Sequence, residues 1–303
     1  MFRLGNQVAS IGNMTKPLCD LELAQLASPG VLDSDLVADL AAKVISDMGI
    51  EPPIDHHLVA SWRGIARIVE ADIPWAGCLV REDGDFIAKL RASDPWGRRR
   101  FSAFHEIGHT FLPGFAYATQ YRCDPGPARL KDRRTKPIEV LSDIAASELL
   151  LPRASFCADI VGEPMTLATV EHLAEMYDAS LEASAHRLVA LSNRPSLLIS
   201  FEPAYARSRL GEGPRLRVKW VHASGDWPYV PLNKSAPDSS PFQLALDGST
   251  VDKVFDLDGF TSEPLGRVRV SAGLYPYYDH QGGLHQRVLA LVTKARQRAR
   301  NAR

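Results

Sequence analysis

Cysteine is scarce in this chain and never paired. Cys19, Cys78, Cys123 and Cys157 are the only four in 303 residues, and no two form a CxxC pair. That excludes a disulfide-stapled scaffold and reads as free thiols in a reducing compartment. No run approaches the roughly 18 apolar residues of a membrane-spanning helix, and the opening MFRLGNQVASIGNMTKP lacks the apolar centre of a secretory signal, so a cytoplasmic location is expected. An excess of one charge is missing too. With 35 Lys and Arg against 36 Asp and Glu the net charge is -1, which argues against a protein that simply coats nucleic acid. Internal repeats are absent. Hydrophobic residues at 45% and charged residues at 23% exclude wholesale disorder.

What is present divides in two. Residues 195–303 hold 15 Lys and Arg against 10 Asp and Glu, leaving 20 against 26 for residues 1–194, so the C-terminal third is the basic part. Residues 1–33 read as a flexible leader. Ser34 to Ile50 carries apolar residues at helical spacing, and ARIVEADI, AGCLV and FIAKL, the last two joined by Asp83-Gly84, read as short strands with a hairpin. RRRFSAFHEIGHTFL reads as a helix, followed by a long loop rich in Pro and Gly. IEVLSDIAASELLL is a second helix stopped by Pro152. A helical pair from Met165 to Ser192 closes this half. Beyond Arg194, alternating runs such as RLRVKWVHA and RVRVSAGLY indicate a β-rich second domain. The expected organisation is therefore α+β, with one domain at 34–194 and another at 195–303.

The chemistry concentrates at His105-Glu106-Ile107-Gly108-His109, an HExxH sequence. On a helix, residues i and i+4 share a face, so both imidazoles reach one metal ion. Glu106 beside that face can act as general base toward water activated by the metal. The competing reading is a surface helix with two histidines. A catalytic zinc takes three protein ligands and keeps one position open. Glu139, on the second helix, can be the third, and Asp143 four residues on can accept the other ring N–H of a ligating histidine. Glu148 competes as ligand but has no acid four residues later.

RRRFSAFHEIGHTF and EVLSDIAASELLLP together resemble the ImmA/IrrE metallopeptidases, over residues 34 to about 192. Val140-Leu141-Ser142-Asp143 departs from the usual motif, keeping the acid but not the Ala before it. The resemblance implies a zincin-like domain with a small sheet, active-site helices and a helix-turn-helix-like closing pair, followed by a β-rich α/β, GAF-like sensory domain. It implies a zinc-dependent endopeptidase that cleaves a helix-turn-helix repressor of the XRE type and derepresses a stress, phage-defence or mobile-element operon. The alternative is a non-catalytic zinc-containing regulator that binds a repressor, DNA or a signal ligand.

Further expectations concern regulation. Cys123, in the loop between the two ligand helices, is a candidate inhibitory ligand for the open metal position; an idle loop thiol is the competing reading. The loop's basic residues (Arg122, Arg129, Lys131, Arg133, Arg134, Lys136) can guide an acidic substrate or a nucleic acid, or simply be solvated. Arg98, Arg99 and Arg100 oppose the dipole of the helix they begin, so acidic partners or a ligand are expected. The acidic helical pair is read as packing or repressor docking rather than DNA reading. His172, His186 or Tyr121 can stabilise an oxyanion. Trp220, Trp227, Tyr229, Tyr275, Tyr277 and Tyr278 are read mainly as core, with a small-molecule or single-stranded DNA site as the alternative.

Overall fold

The computed structural model describes residues 18–115, 120–123, 137–205, 213–279 and 282–295. The chain divides into two compact units, the first ending at Pro152 and the second beginning at Arg153. No helix among the described residues is long and apolar enough to cross a membrane.

Part of the expected leader is a helix, α1 (Asp20–Ala27), because Cys19 and Glu22 close a capping box at its start. Residues 1–17 lie outside the described residues. In α2 (Asp33–Met48) the apolar positions Leu36, Val37, Ala41, Val44 and Ile45 recur at helical spacing and are buried. The helix stops at Gly49, whose left-handed backbone suits glycine. Then follow α3 (His56–Trp62), capped by Asp55, and the strands β1 (Ile65–Ala71), β2 (Gly77–Glu82) and β3 (Asp85–Arg91). Asp83 and Gly84 both have positive φ, at 50° and 95°, which gives β2 and β3 the tight hairpin their sequence signals. β3 also pairs in parallel with β1.

α4 (Trp96–Gly108) begins after Pro95, and a single 3-10 turn over His109–Phe111 prolongs it. The loop beyond contains a strand the sequence reading did not find, β4 (Gln120–Cys123), which adds antiparallel to β2 and completes the order β1-β3-β2-β4. Its four residues are too short for a visible alternation. Arg129, Lys131, Arg133, Arg134 and Lys136 of the expected basic loop lie outside the described residues. α5 (Pro137–Leu150) then packs along α4. At the start of α4, Arg98 reaches Asp94 at 3.4 Å and Arg99 reaches Glu70 at 3.3 Å, the acidic partners expected of them. Arg100 donates to the Ile54 carbonyl.

The second unit holds α6 (Arg153–Asp159), α7 (Leu167–Met176), α8 (Leu181–Leu191), α9 (Pro241–Leu246) and strands β5 (Ser196–Ala204), β6 (Arg215–Ser224), β7 (Val251–Asp256), β8 (Arg267–Leu274), β9 (Tyr277–Tyr278), β10 (Leu284–His285) and β11 (Val288–Lys294). Five strands form an antiparallel sheet in the order β6-β5-β11-β8-β7. One face is closed by α9 around Phe201, Phe242 and Phe260. The helical pair packs within this unit. The Leu167 amide donates to Ser271 Oγ at 3.0 Å, Tyr275 donates its hydroxyl to Glu171 at 2.7 Å, and Arg287 reaches Glu182 at 2.6 Å. The unit boundary thus falls at Pro152, not at the Arg194 expected from the change in texture, because α7 and α8 share their buried side with the sheet. Among the aromatics, Trp220 is buried and Tyr275 and Tyr277 are anchored on Glu171 and Glu202, whereas Tyr229 and Tyr278 are exposed and do not belong to the core.

Candidate metal centre

α4 carries His105 and Glu106, and its C-terminal end carries His109. All three are buried: His105 is 2% exposed, Glu106 and His109 0%. α5 supplies Glu139 in its first turn. The two helices approach closely because α4 has no side chain where they touch. A Cβ on Gly108 would lie 2.9 Å from the Ser142 carbonyl oxygen and 3.1 Å from the Ala145 Cβ. This contact draws the first turn of α5 over the histidine pair. One ligand atom from each of His105, His109 and Glu139 then lies within 4.8 Å of the others. His105 Nε2 is 3.3 Å from Glu139 Oε2, and the two imidazoles meet edge to face with ring centres 4.9 Å apart. Glu148 is buried further along α5. Nine residues of helix are about 13 Å of rise, and Glu139, not Glu148, joins the cluster.

The opposite ring nitrogens are held as well. His105 Nδ1 lies 2.8 Å from Asp143 Oδ1, the contact expected from the spacing of Glu139 and Asp143. His109 Nδ1 lies 3.1 Å from Ser142 Oγ, a partner the sequence reading missed. Ser142 stands between the two acids, and the only signal for it was that Ser142, like Glu139 and Asp143, lies one helical turn from its neighbours on that face. With both Nδ1 atoms engaged, the Nε2 atoms are the natural ligand atoms.

Glu106 is enclosed against β2. A Cβ on Gly77 would come within 2.6 Å of Glu106 Oε1, so only glycine leaves room for the carboxylate there. Both Glu106 oxygens are buried and make no hydrogen bond of ordinary length and angle, with the Leu79 backbone near enough to favour the charged form. Burial pushes this carboxyl up to about 8; the His105 ring pulls the other way, and the Glu139 charge adds to the rise. Burial, then proximity to His105, pushes His109 well below its ordinary value, which keeps it neutral as a ligand must be. Glu139 and Asp143 retain 25% and 34% side-chain exposure, so the cluster opens to solvent on the α5 side.

A buried carboxyl beside two buried imidazoles and a partly exposed acid fits a divalent ion with nitrogen and oxygen ligands and a free position for water. The other expected residues fall elsewhere. His186 packs on Trp220 and His222 in the second unit, and His172 is exposed there. The backbone of Cys123 pairs with Gly77, and that of Tyr121 with Leu79, while both side chains lie outside the described part of the structure.

Comparison with known proteins agrees with this geometry. Residues 89–189, from β3 through α8, match the family model Peptidase_M78, described as an IrrE N-terminal-like domain. A solved structure described as a Mycobacterium tuberculosis transcriptional regulator is 13% identical, covering 85% of this chain and 76% of that one with a TM-score of 0.57, which establishes a shared fold. No curated protein matches the chain. The stretch that carries the histidine pair and Glu139 is therefore the part of the chain that is similar to the IrrE N-terminal-like family.

Proposed function

We propose that the chain is a zinc-dependent endopeptidase whose ligands are His105, His109 and Glu139 and whose general base is Glu106. The observation that carries this reading is the meeting of those three ligand atoms beside the buried carboxyl of Glu106. When bound there, zinc supplies Lewis acidity toward both water and the scissile carbonyl. Glu106 takes the proton of the attacking water at a carboxylate oxygen and returns it to the leaving amine. Asp143, which can only accept, fixes the tautomer of His105; Ser142 orients the His109 ring, and the enclosure by Gly77 fixes the Glu106 rotamer.

The substrate in this reading is a helix-turn-helix repressor of the XRE type, whose cleavage derepresses a stress or phage-defence operon. The IrrE N-terminal-like match and a structural neighbour described as a transcriptional regulator support a place in regulation. Residues 195–303 are the regulatory module, with a GAF-like sensory role. In this reading Cys123 is the latent-state ligand, its thiolate taking the open metal position.

The test combines metal analysis with digestion of candidate repressor by wild type and Glu106→Gln. One zinc per chain in both, with chelator-sensitive cleavage by the wild type alone, is the expected result. Cleavage by metal-loaded Glu106→Gln removes Glu106 as the base. Zinc binding without cleavage by either protein favours the non-catalytic regulator.

A further inference from the structure

His109 stands where α4 ends: it caps the helix and opens the 3-10 turn. Helix ends leave carbonyls without intrahelical partners and fray unless something outside holds them. Here one side chain does so. Arg63, the residue that closes α3, donates from Nε to Thr110 Oγ1 at 2.8 Å and from Nη2 to the Thr110 carbonyl at 3.0 Å. Its guanidinium carbon also lies 4.2 Å from the centre of the Phe111 ring. Thr110 in turn donates its hydroxyl to the Ile107 carbonyl at 2.6 Å, back into the last turn of α4. The guanidinium has a second anchor: Nη2 lies 2.6 Å from Asp20 Oδ2, at the first residue of α1. Arg63 thus joins the start of α1 and the end of α3 to the residue that follows His109.

We propose that Arg63 is a positioning residue for the metal centre, oriented by Asp20, so that α1 takes part in holding His109 in its ligating pose. The inference rests on the metal reading above. The guanidinium suits this task because its planar fork donates to two Thr110 oxygens while its face lies on the Phe111 ring; an ammonium offers neither the fork nor the face. Arg63 is 19% exposed and Asp20 38%, so the link is anchored inside and accessible outside.

The test uses the full chain as wild type, Arg63→Ala, Arg63→Lys and Asp20→Ala. Metal affinity is read by chelator competition and the ligand field by the visible spectrum of the cobalt(II) form, beside thermal unfolding of the metal-free proteins. Both Arg63 variants are expected to lose roughly tenfold or more in affinity, the range seen when groups supporting metal ligands are removed, with shifted cobalt bands; Asp20→Ala is expected to lose less, in the same direction. Arg63 variants that melt lower but bind metal with wild-type affinity and spectrum overturn the proposal, since that is what a merely structural contact does. Where Arg63→Ala does not fold, Asp20→Ala decides, and wild-type affinity there overturns it. A wild-type chain that binds no divalent ion overturns the metal reading itself, an outcome distinct from unchanged variants of a chain that does bind.

Discussion

The two histidines of the cluster are supported unequally. His105 Nδ1 meets a carboxylate and His109 Nδ1 a hydroxyl. A carboxylate can only accept, so it fixes the tautomer and raises the basicity of a ligating imidazole; a hydroxyl can also donate and chiefly orients the ring. Ser142→Ala removes only the hydroxyl 3.1 Å from Nδ1 and is expected to lower metal affinity about tenfold, measured by chelator competition, with little change in the fold. Gly77→Ala is the complementary case, because it reaches the base and not the ligands. Its methyl would fall 2.6 Å from Glu106 Oε1 and must displace the carboxylate. Cleavage is expected to fall by about 10² or more, the usual contribution of general base catalysis, at unchanged zinc content; normal turnover would show that the Glu106 position tolerates displacement. Neither residue stands out in the sequence. Ser142 looks like an ordinary polar position of an amphipathic helix, and Gly77 like a turn residue before a strand, since what each touches lies 33 and 29 positions away along the chain.

At the scale of elements, spacing made some parts legible and length hid others. The HExxH helix and the Glu139–Asp143 helix were readable because both use the 3.6-residue period over more than three turns, and the Asp83-Gly84 hairpin because its turn demands those residue types. β4 was not, because four residues in a stretch rich in Pro and Gly carry no period, and it exists only by pairing with β2. α1 was hidden because a cysteine cap replaces the usual Ser or Asp. What the sequence could not show at all is how near α4 comes to α5. That spacing depends on Gly108, the last residue of α4, whose missing side chain is explained by the contact it permits. Gly108→Ala forces a methyl to within 2.9 Å of the Ser142 carbonyl. The variant is expected to lose about 1–3 kcal/mol of stability, as overpacked cores do, and to bind metal more weakly because α5 carries Glu139 outward. Urea unfolding of the metal-free chain and zinc titration check the two effects separately; a stable variant with full zinc affinity would show that the helices have room to part.

At the scale of the whole molecule, the change from helical to alternating texture near Arg194 falls inside the second compact unit, which begins at Arg153. Leu197, Ile199, Val288, Ala290 and Val292 face the core closed by α9. Their alternates Leu198, Leu289 and Leu291 are equally buried, at 0 to 1% exposure, on the other face, the one where α7 and α8 pack with Leu167, Val170, Leu173, Leu188 and Val189 turned inward. Cutting at residue 195 bares that face. Exposing a buried leucine costs about 1.5–3 kcal/mol, so three together approach the 5–15 kcal/mol that holds a whole domain. A fragment spanning 153–303 is expected to melt as one cooperative transition by near-ultraviolet circular dichroism. A fragment spanning 195–303 is expected to melt broadly at a much lower temperature and to bind a hydrophobic dye. Equal, sharp melting of the two fragments would show that the helical pair is an appendage of the sheet and that the boundary lies where the texture changes.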